Sequence, residues 1–200
     1  PNIGVKTYNT LLIDGSNILE LSLAADKTLS SSGLEIGGIF TFLLQIKMML
    51  QKGNFKYVYV MWDGIKSGQL RKNIYSEYKS NRDKEFDEEG LSPYMQEVNN
   101  RLKSMQNYIF KQKDPMKLAE KKKHKDLFYW QRDIVMECLE ELFIRQCMCD
   151  YTEADDLIGY YVSHKRPNER IVIASNDRDL TQLISDDVIV YVQSLKKFIN

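Results

Sequence analysis

The chain has 200 residues, 43% of them hydrophobic, which is enough for one well-buried domain. Its 28 basic and 28 acidic residues cancel, so net charge predicts neither attraction to nor repulsion from nucleic acid, and distribution must decide. Charge interrupts every apolar stretch well short of the roughly 20 residues that span a bilayer, and the N-terminus has no signal-peptide pattern, so no membrane partner and a cytoplasmic location are expected.

In chain order, the first predicted strand is Thr10 to Ile13, followed by a helical pattern with Ile39, Phe42, Leu43, Ile46 and Leu50 at three- and four-residue spacing. Tyr57 to Met61 reads as the second strand. From Arg82 to about Gln131 the chain turns polar and lysine-rich, with Lys111, Lys113, Lys117, Lys121, Lys122, Lys123 and Lys125 on either side of Pro115, and this predicts an inserted helical region. Two further strands are predicted at Arg170 to Ala174 and Val188 to Val192. Strands alternating with helices make an α/β domain with a buried parallel sheet. Cys138, Cys147 and Cys149 cannot all pair with one another and lack a metal-site partner set, so they read as reduced thiols near the core.

Ligands of an open α/β sheet bind beyond the carboxyl ends of its strands, so the residues there carry the functional signal. They are acidic: Asp14-Gly15-Ser16-Asn17 after the first strand, Trp62-Asp63-Gly64 after the second, Ser175-Asn176-Asp177-Arg178-Asp179 after the third. Thr152-Glu153-Ala154-Asp155-Asp156 adds a helix start, with Thr152 read as the N-cap. An Asp before Gly is also ordinary turn chemistry, and an acid near a helix start is favoured by capping and the dipole. The whole set is harder to explain that way, because carboxylates gathered at one sheet end repel each other unless a cation compensates. Ligands that are all oxygen, with no His or Cys, favour Mg²⁺ or Mn²⁺ over zinc. If Thr152 and Glu153 are extended, Glu153 and Asp155 can turn to one cavity while Asp156 faces a neighbouring strand end or a second ion.

Five motifs in order, Leu11-Leu12-Ile13-Asp14-Gly15-Ser16-Asn17, Trp62-Asp63-Gly64, Tyr78-Lys79-Ser80-Asn81-Arg82, Glu153-Ala154-Asp155-Asp156 and Ser175-Asn176-Asp177-Arg178-Asp179-Leu180-Thr181-Gln182-Leu183, together resemble the 5′ nuclease (flap endonuclease) family. Lys66-Ser67-Gly68 and Arg71 bring the likeness nearest to the phage ribonuclease H type, beside the 5′ to 3′ exonuclease domain of DNA polymerase I. The resemblance implies a PIN-like fold over residues 1–200, a central mostly parallel sheet flanked by helices, with a basic helical arch inserted at 82–131. It implies hydrolysis near single-strand/duplex junctions of 5′-flap or nicked DNA, or of RNA primers in RNA/DNA hybrids, with replication proteins as further partners and a monomeric enzyme. By motif position Asp14, Asp63, Glu153, Asp155 and Asp177 would hold a first ion, and Asp179 with Asp156 a second. Lys79 and Arg82 would stabilise transition-state charge on the scissile phosphate, Tyr78 would stack on a base, and Arg71 and Lys72 would add substrate contacts. The family's helix-hairpin-helix region, which follows the last strand, has no counterpart before Asn200.

Four rivals differ in chemistry. A compact PIN-type ribonuclease would share the metal but lack the basic insertion, and a non-catalytic nucleic-acid-binding scaffold would be expected to lose a member of the cluster. Aspartate-nucleophile phosphatases need an Asp where Ser16 stands, and a Rossmann nucleotide binder needs more glycines than Gly15 after the first strand.

Overall fold

The computed structural model describes residues 7–67 and 115–200, with residues 115–118 described by backbone alone. Two compact units are distinguished, residues 1–70 with 128–200 and residues 71–127. The first unit holds the sheet and the strand ends.

That sheet has six strands: β1 (Thr10–Asp14), β2 (Tyr57–Asp63), β3 (Arg145–Cys149), β4 (Ile171–Ala174), β5 (Val188–Val192) and β6 (Lys197–Ile199), in spatial order β3-β2-β1-β4-β5-β6. Every pairing is parallel except β5 with β6. The order reverses between β1 and β4, so the switch point of the sheet lies there, and that is where an α/β fold opens a crevice.

β1, β4 and β5 are buried along their whole length, as expected of strands covered on both faces. Leu12, Tyr59, Met61, Ile171, Ile173, Val188 and Val190 form one core with Ala154 and Ile158 of α4 (Ala154–Ser163). Alternate residues turn to the opposite face. There α1 (Gly15–Ala25) presses so close that a Cβ on Gly15 would lie 2.7 Å from Val60 Cγ1, and Phe42 of α2 (Gly37–Leu50) stacks on Trp62 at 5.7 Å.

Helix α3 (Pro115–Glu141) begins with proline at a position where a missing N–H costs nothing. Gln131, Val135 and Leu139 are its buried row, at spacing four. Lys121, Lys122, Lys123 and Lys125 are exposed, and Lys111 and Lys113 lie outside the described residues.

Two strands were not anticipated. β3 is an edge strand of Arg-Gln-Cys-Met-Cys, partly exposed and without β-branched residues, so its strand character comes from pairing with β2 rather than from propensity. β6 is three residues long and exists as the antiparallel partner of β5. Cys147 and Cys138 are half-buried, but Cys149 is exposed, against the expectation that all three sit near the core.

Candidate metal centre

Strand parity decides which strand-end residues meet. Asp14 lies two beyond Leu12, Asp63 two beyond Met61 and Ser175 two beyond Ile173, so the three follow residues of the core that contains Ala154 and Ile158. They therefore emerge at the carboxyl edge on the side where α4 begins.

Asp14 is only 5% exposed and serves two structures, as the last residue of β1 and the N-cap of α1. Its Oδ1 accepts the Asn17 N–H at 3.1 Å, and its Oδ2 accepts the Ser175 hydroxyl at 2.8 Å. Burial raises its pKa, those two hydrogen bonds oppose the rise, and the carboxylates of Asp63 and Asp155 add to it; the outcome is about 6. Asp14, Asp63 and Asp155 thus share one local field, although 141 positions of sequence separate the first from the last.

Asp63 ends β2 half-buried, its N–H donating to Ser16 Oγ at 2.9 Å and its Oδ1 accepting the Ala154 N–H at 2.8 Å. The carboxylate at the end of β2 therefore sits against the first turn of α4, where backbone donors and the helix dipole both favour negative charge. The segment after Asp63 is fastened to the β3–α4 loop by Gly64 N–H to Thr152 O at 3.0 Å and Tyr151 N–H to Ile65 O at 2.8 Å.

The N-cap of α4 is Glu153, in extended conformation, rather than Thr152. Thr152 instead turns its hydroxyl to Asp150 O at 3.3 Å. Carboxylate oxygens of Glu153, Asp155 and Asp156 lie within 4.8 Å of one another, close enough to share one ion. Asp156 lies with this group, and its Oδ2 accepts the Glu153 N–H at 3.4 Å.

Beyond β4, Asp177 caps the short 3-10 helix Arg178–Leu183 by accepting the Asp179 N–H at 2.9 Å. Asp179 is exposed in the first turn of that helix. Of the predicted substrate contacts, Arg71, Lys72, Tyr78, Lys79 and Arg82 lie outside the described residues. Asp186 and Asp187 follow that helix and precede β5, away from the strand-end motifs, and Asp187 pairs with Lys165 at 3.3 Å and Arg170 at 3.5 Å.

Three supporting residues were not singled out from the sequence. Ser16, Asn17 and Ser175 hold the acids in place, yet each reads as routine turn composition. Their signal is positional: small polar residues inside the acidic motifs, at the ends of largely apolar strands.

The donor set is all carboxylate oxygen, suited to a hard divalent cation, and a buried Asp14 beside two further carboxylates is electrostatically costly until such a cation is present.

The family described as 5′-3′ exonuclease, N-terminal resolvase-like domain matches residues 9–200. A 5′-3′ exonuclease of Buchnera aphidicola subsp. Schizaphis graminum is 27% identical over 188 residues, covering 92% of this chain and 51% of that protein. One from Aquifex aeolicus is 26% identical over 181 residues, covering 90% and 49%. The chain thus spans about half the length of the curated relatives it matches. Among solved structures, T5 5′-exonuclease with bound zinc superposes with a TM-score of 0.64 at 18% identity, over 96% of this chain and 58% of that one. A T5 D15 flap endonuclease variant, solved as a pseudo-enzyme-product complex with DNA and metal ions, gives a TM-score of 0.62 at 18% identity, over 96% and 57%.

Proposed function

Since the chain belongs to the 5′-3′ exonuclease N-terminal, resolvase-like domain family, we propose that it is the catalytic domain of a divalent-metal-dependent 5′ nuclease. Its substrates are 5′-flap or nicked DNA and RNA primers, cut near single-strand/duplex junctions during replication or repair. The observation that carries this reading is the gathering of carboxylates at the carboxyl end of the sheet: Asp14 buried beside the switch point, Asp63 bonded to the first turn of α4, and Glu153, Asp155 and Asp156 within 4.8 Å of one another at that helix start. A purely structural aspartate gains nothing from that company.

Asp14, Asp63, Glu153, Asp155 and Asp177 would hold a first Mg²⁺ or Mn²⁺, and Asp179 with Asp156 a second. When bound, such ions activate water and clamp the attacking and leaving oxygens of an in-line phosphodiester displacement. The protein's own contribution is orientation. Asn17 and Ser175 fix Asp14, Ala154 N–H and Ser16 fix Asp63, and the first turn of α4 presents three acids together.

A centre this acidic repels the phosphate backbone, so the substrate needs cations of its own. Lys79 and Arg82 are the side chains we assign to the scissile phosphate, with Arg71 and Lys72 on the flanking backbone and Tyr78 stacking on a base. The names of the relatives, and the DNA and metal ions in the T5 complex, support the nuclease reading.

A comparison of labelled substrates tests it: a 5′-flap duplex, a nicked duplex, an RNA/DNA hybrid and a single strand of DNA or of RNA, each with Mg²⁺ or Mn²⁺. The reading expects the junction-bearing duplexes to be cut faster than the single strand. Equal cleavage of single-stranded RNA and the flap would favour a PIN-type ribonuclease instead.

A further inference from the structure

Ser175 is completely buried at the switch point, one residue beyond β4. Its hydroxyl has two partners. The Asp177 N–H lies 3.0 Å from Oγ and can only donate, so Ser175 accepts there, and its single proton is left for Asp14 Oδ2 at 2.8 Å. The chain of donors is therefore directional, from the Asp177 backbone through Ser175 to the Asp14 carboxylate. It bridges two strands that are immediate neighbours, with Ile13 opposite Ala174.

We propose that Ser175 is a positioning residue that locks Asp14 and the Asp177 turn into one preoriented ligand unit for a divalent cation. The inference rests on the metal reading above and adds a residue to it. Asn17 holds one oxygen of Asp14 and Ser175 the other, so the plane of the carboxylate is fixed from both ends. Each oxygen accepts one of these hydrogen bonds and keeps a lone pair for an ion. The same hydroxyl anchors the turn from which Asp177 Oδ1 captures the Asp179 N–H, so both acids beyond β4 take their position from it. Outer groups of this kind usually set metal affinity by orienting ligands they never replace.

The test uses the full chain with Ser175→Ala, Ser175→Thr and Ser175→Val. Threonine keeps the hydroxyl, and valine has the same shape without it. Melting temperature in chelator reports folding, and calorimetric titration with Mn²⁺ reports binding independently of any cleavage. Ser175→Val and Ser175→Ala should bind Mn²⁺ at least about tenfold more weakly than the parent, and Ser175→Thr within about threefold of it. Equal affinity of Ser175→Val and Ser175→Thr overturns the proposal, because the hydroxyl then has no role. If Ser175→Val does not fold, the comparison of Ser175→Ala with Ser175→Thr decides in the same way. A parent chain that takes up no Mn²⁺ sinks the metal reading itself, a failure visible before any variant is compared.

Discussion

Asp63 Oδ1 accepts the backbone N–H of Ala154 at 2.8 Å, joining the carboxyl end of β2 to the first turn of α4 across 91 residues of sequence. One bond thus connects the elements that carry Asp63 and the Glu153, Asp155, Asp156 group. Replacing Asp63 by Ala should orphan that N–H at a cost of about 1 kcal/mol, comparable to losing a helix cap. Cleavage should fall much further, by at least about 100-fold, because a ligand matters more than the groups that orient it. Thermal unfolding and single-turnover cleavage measured together separate the two effects.

Gly64 has a different vulnerability. A Cβ there would land on the Cys149 carbonyl group, with the Cys149 carbonyl carbon 2.5 Å away, so no side chain fits without moving the β3–α4 loop. Gly64→Ala should cost about 1–3 kcal/mol, typical of overpacking, and should weaken Mn²⁺ binding because Asp63 moves relative to Ala154. Denaturant unfolding and calorimetry check both; an unchanged metal affinity would show that Asp63 keeps its place regardless of the loop.

The pH dependence of the metal-free protein follows from Asp14. Burial, partly offset by Asn17 and Ser175 and reinforced by Asp63 and Asp155, raises its folded pKa from 3.8 to about 6, so folding favours the protonated form. That stabilisation is complete below pH 3.8 and is lost as pH rises through about 6, a change of about 3 kcal/mol by neutral pH. Melting curves in chelator should show the parent losing stability relative to Asp14→Asn across this window. Added Mg²⁺ should restore more stability at pH 8 than at pH 5.

Glu169 provides a contrast at the amino-terminal end of the sheet, where it is 3% exposed and accepts from the Thr10 hydroxyl at 2.5 Å, the Tyr161 hydroxyl at 2.8 Å and the Arg166 N–H at 2.9 Å. Burial alone would raise its pKa, but these donors outweigh it and lower it. Its contribution is therefore present above the ordinary Glu value of 4.5 and disappears as pH falls through the lower folded value. Glu169→Ala leaves three donors without an acceptor and should cost about 3 kcal/mol, while Mn²⁺ affinity stays at the parent value. A large loss of metal binding in that variant would show that the two ends of the sheet are not independent.

Much of this was legible because a strand has period two. Asp14 and Asp63 each follow an apolar residue of the same face by two positions, so their convergence is written in the spacing. β3 was hidden because Arg145 to Cys149 has neither β-branched residues nor a clear alternation, and an edge position asks for none. The start of α4 was misjudged by one residue, since Thr152 and Glu153 can both cap and only the extended backbone of Glu153 decides between them. Ser175 was invisible as a site residue because its importance depends on β1 and β4 being neighbours, a property of topology with no local signature.

The most direct measurement is cleavage of a 5′-labelled flap duplex by the parent chain and by Asp155→Asn, with Mg²⁺ and with chelator. The account predicts short 5′ products from the parent that require the metal and disappear in the variant, while both proteins bind the duplex alike. Parent and variant cutting equally, or cleavage that persists in chelator, would contradict the assignment of the carboxylate cluster as the catalytic metal centre.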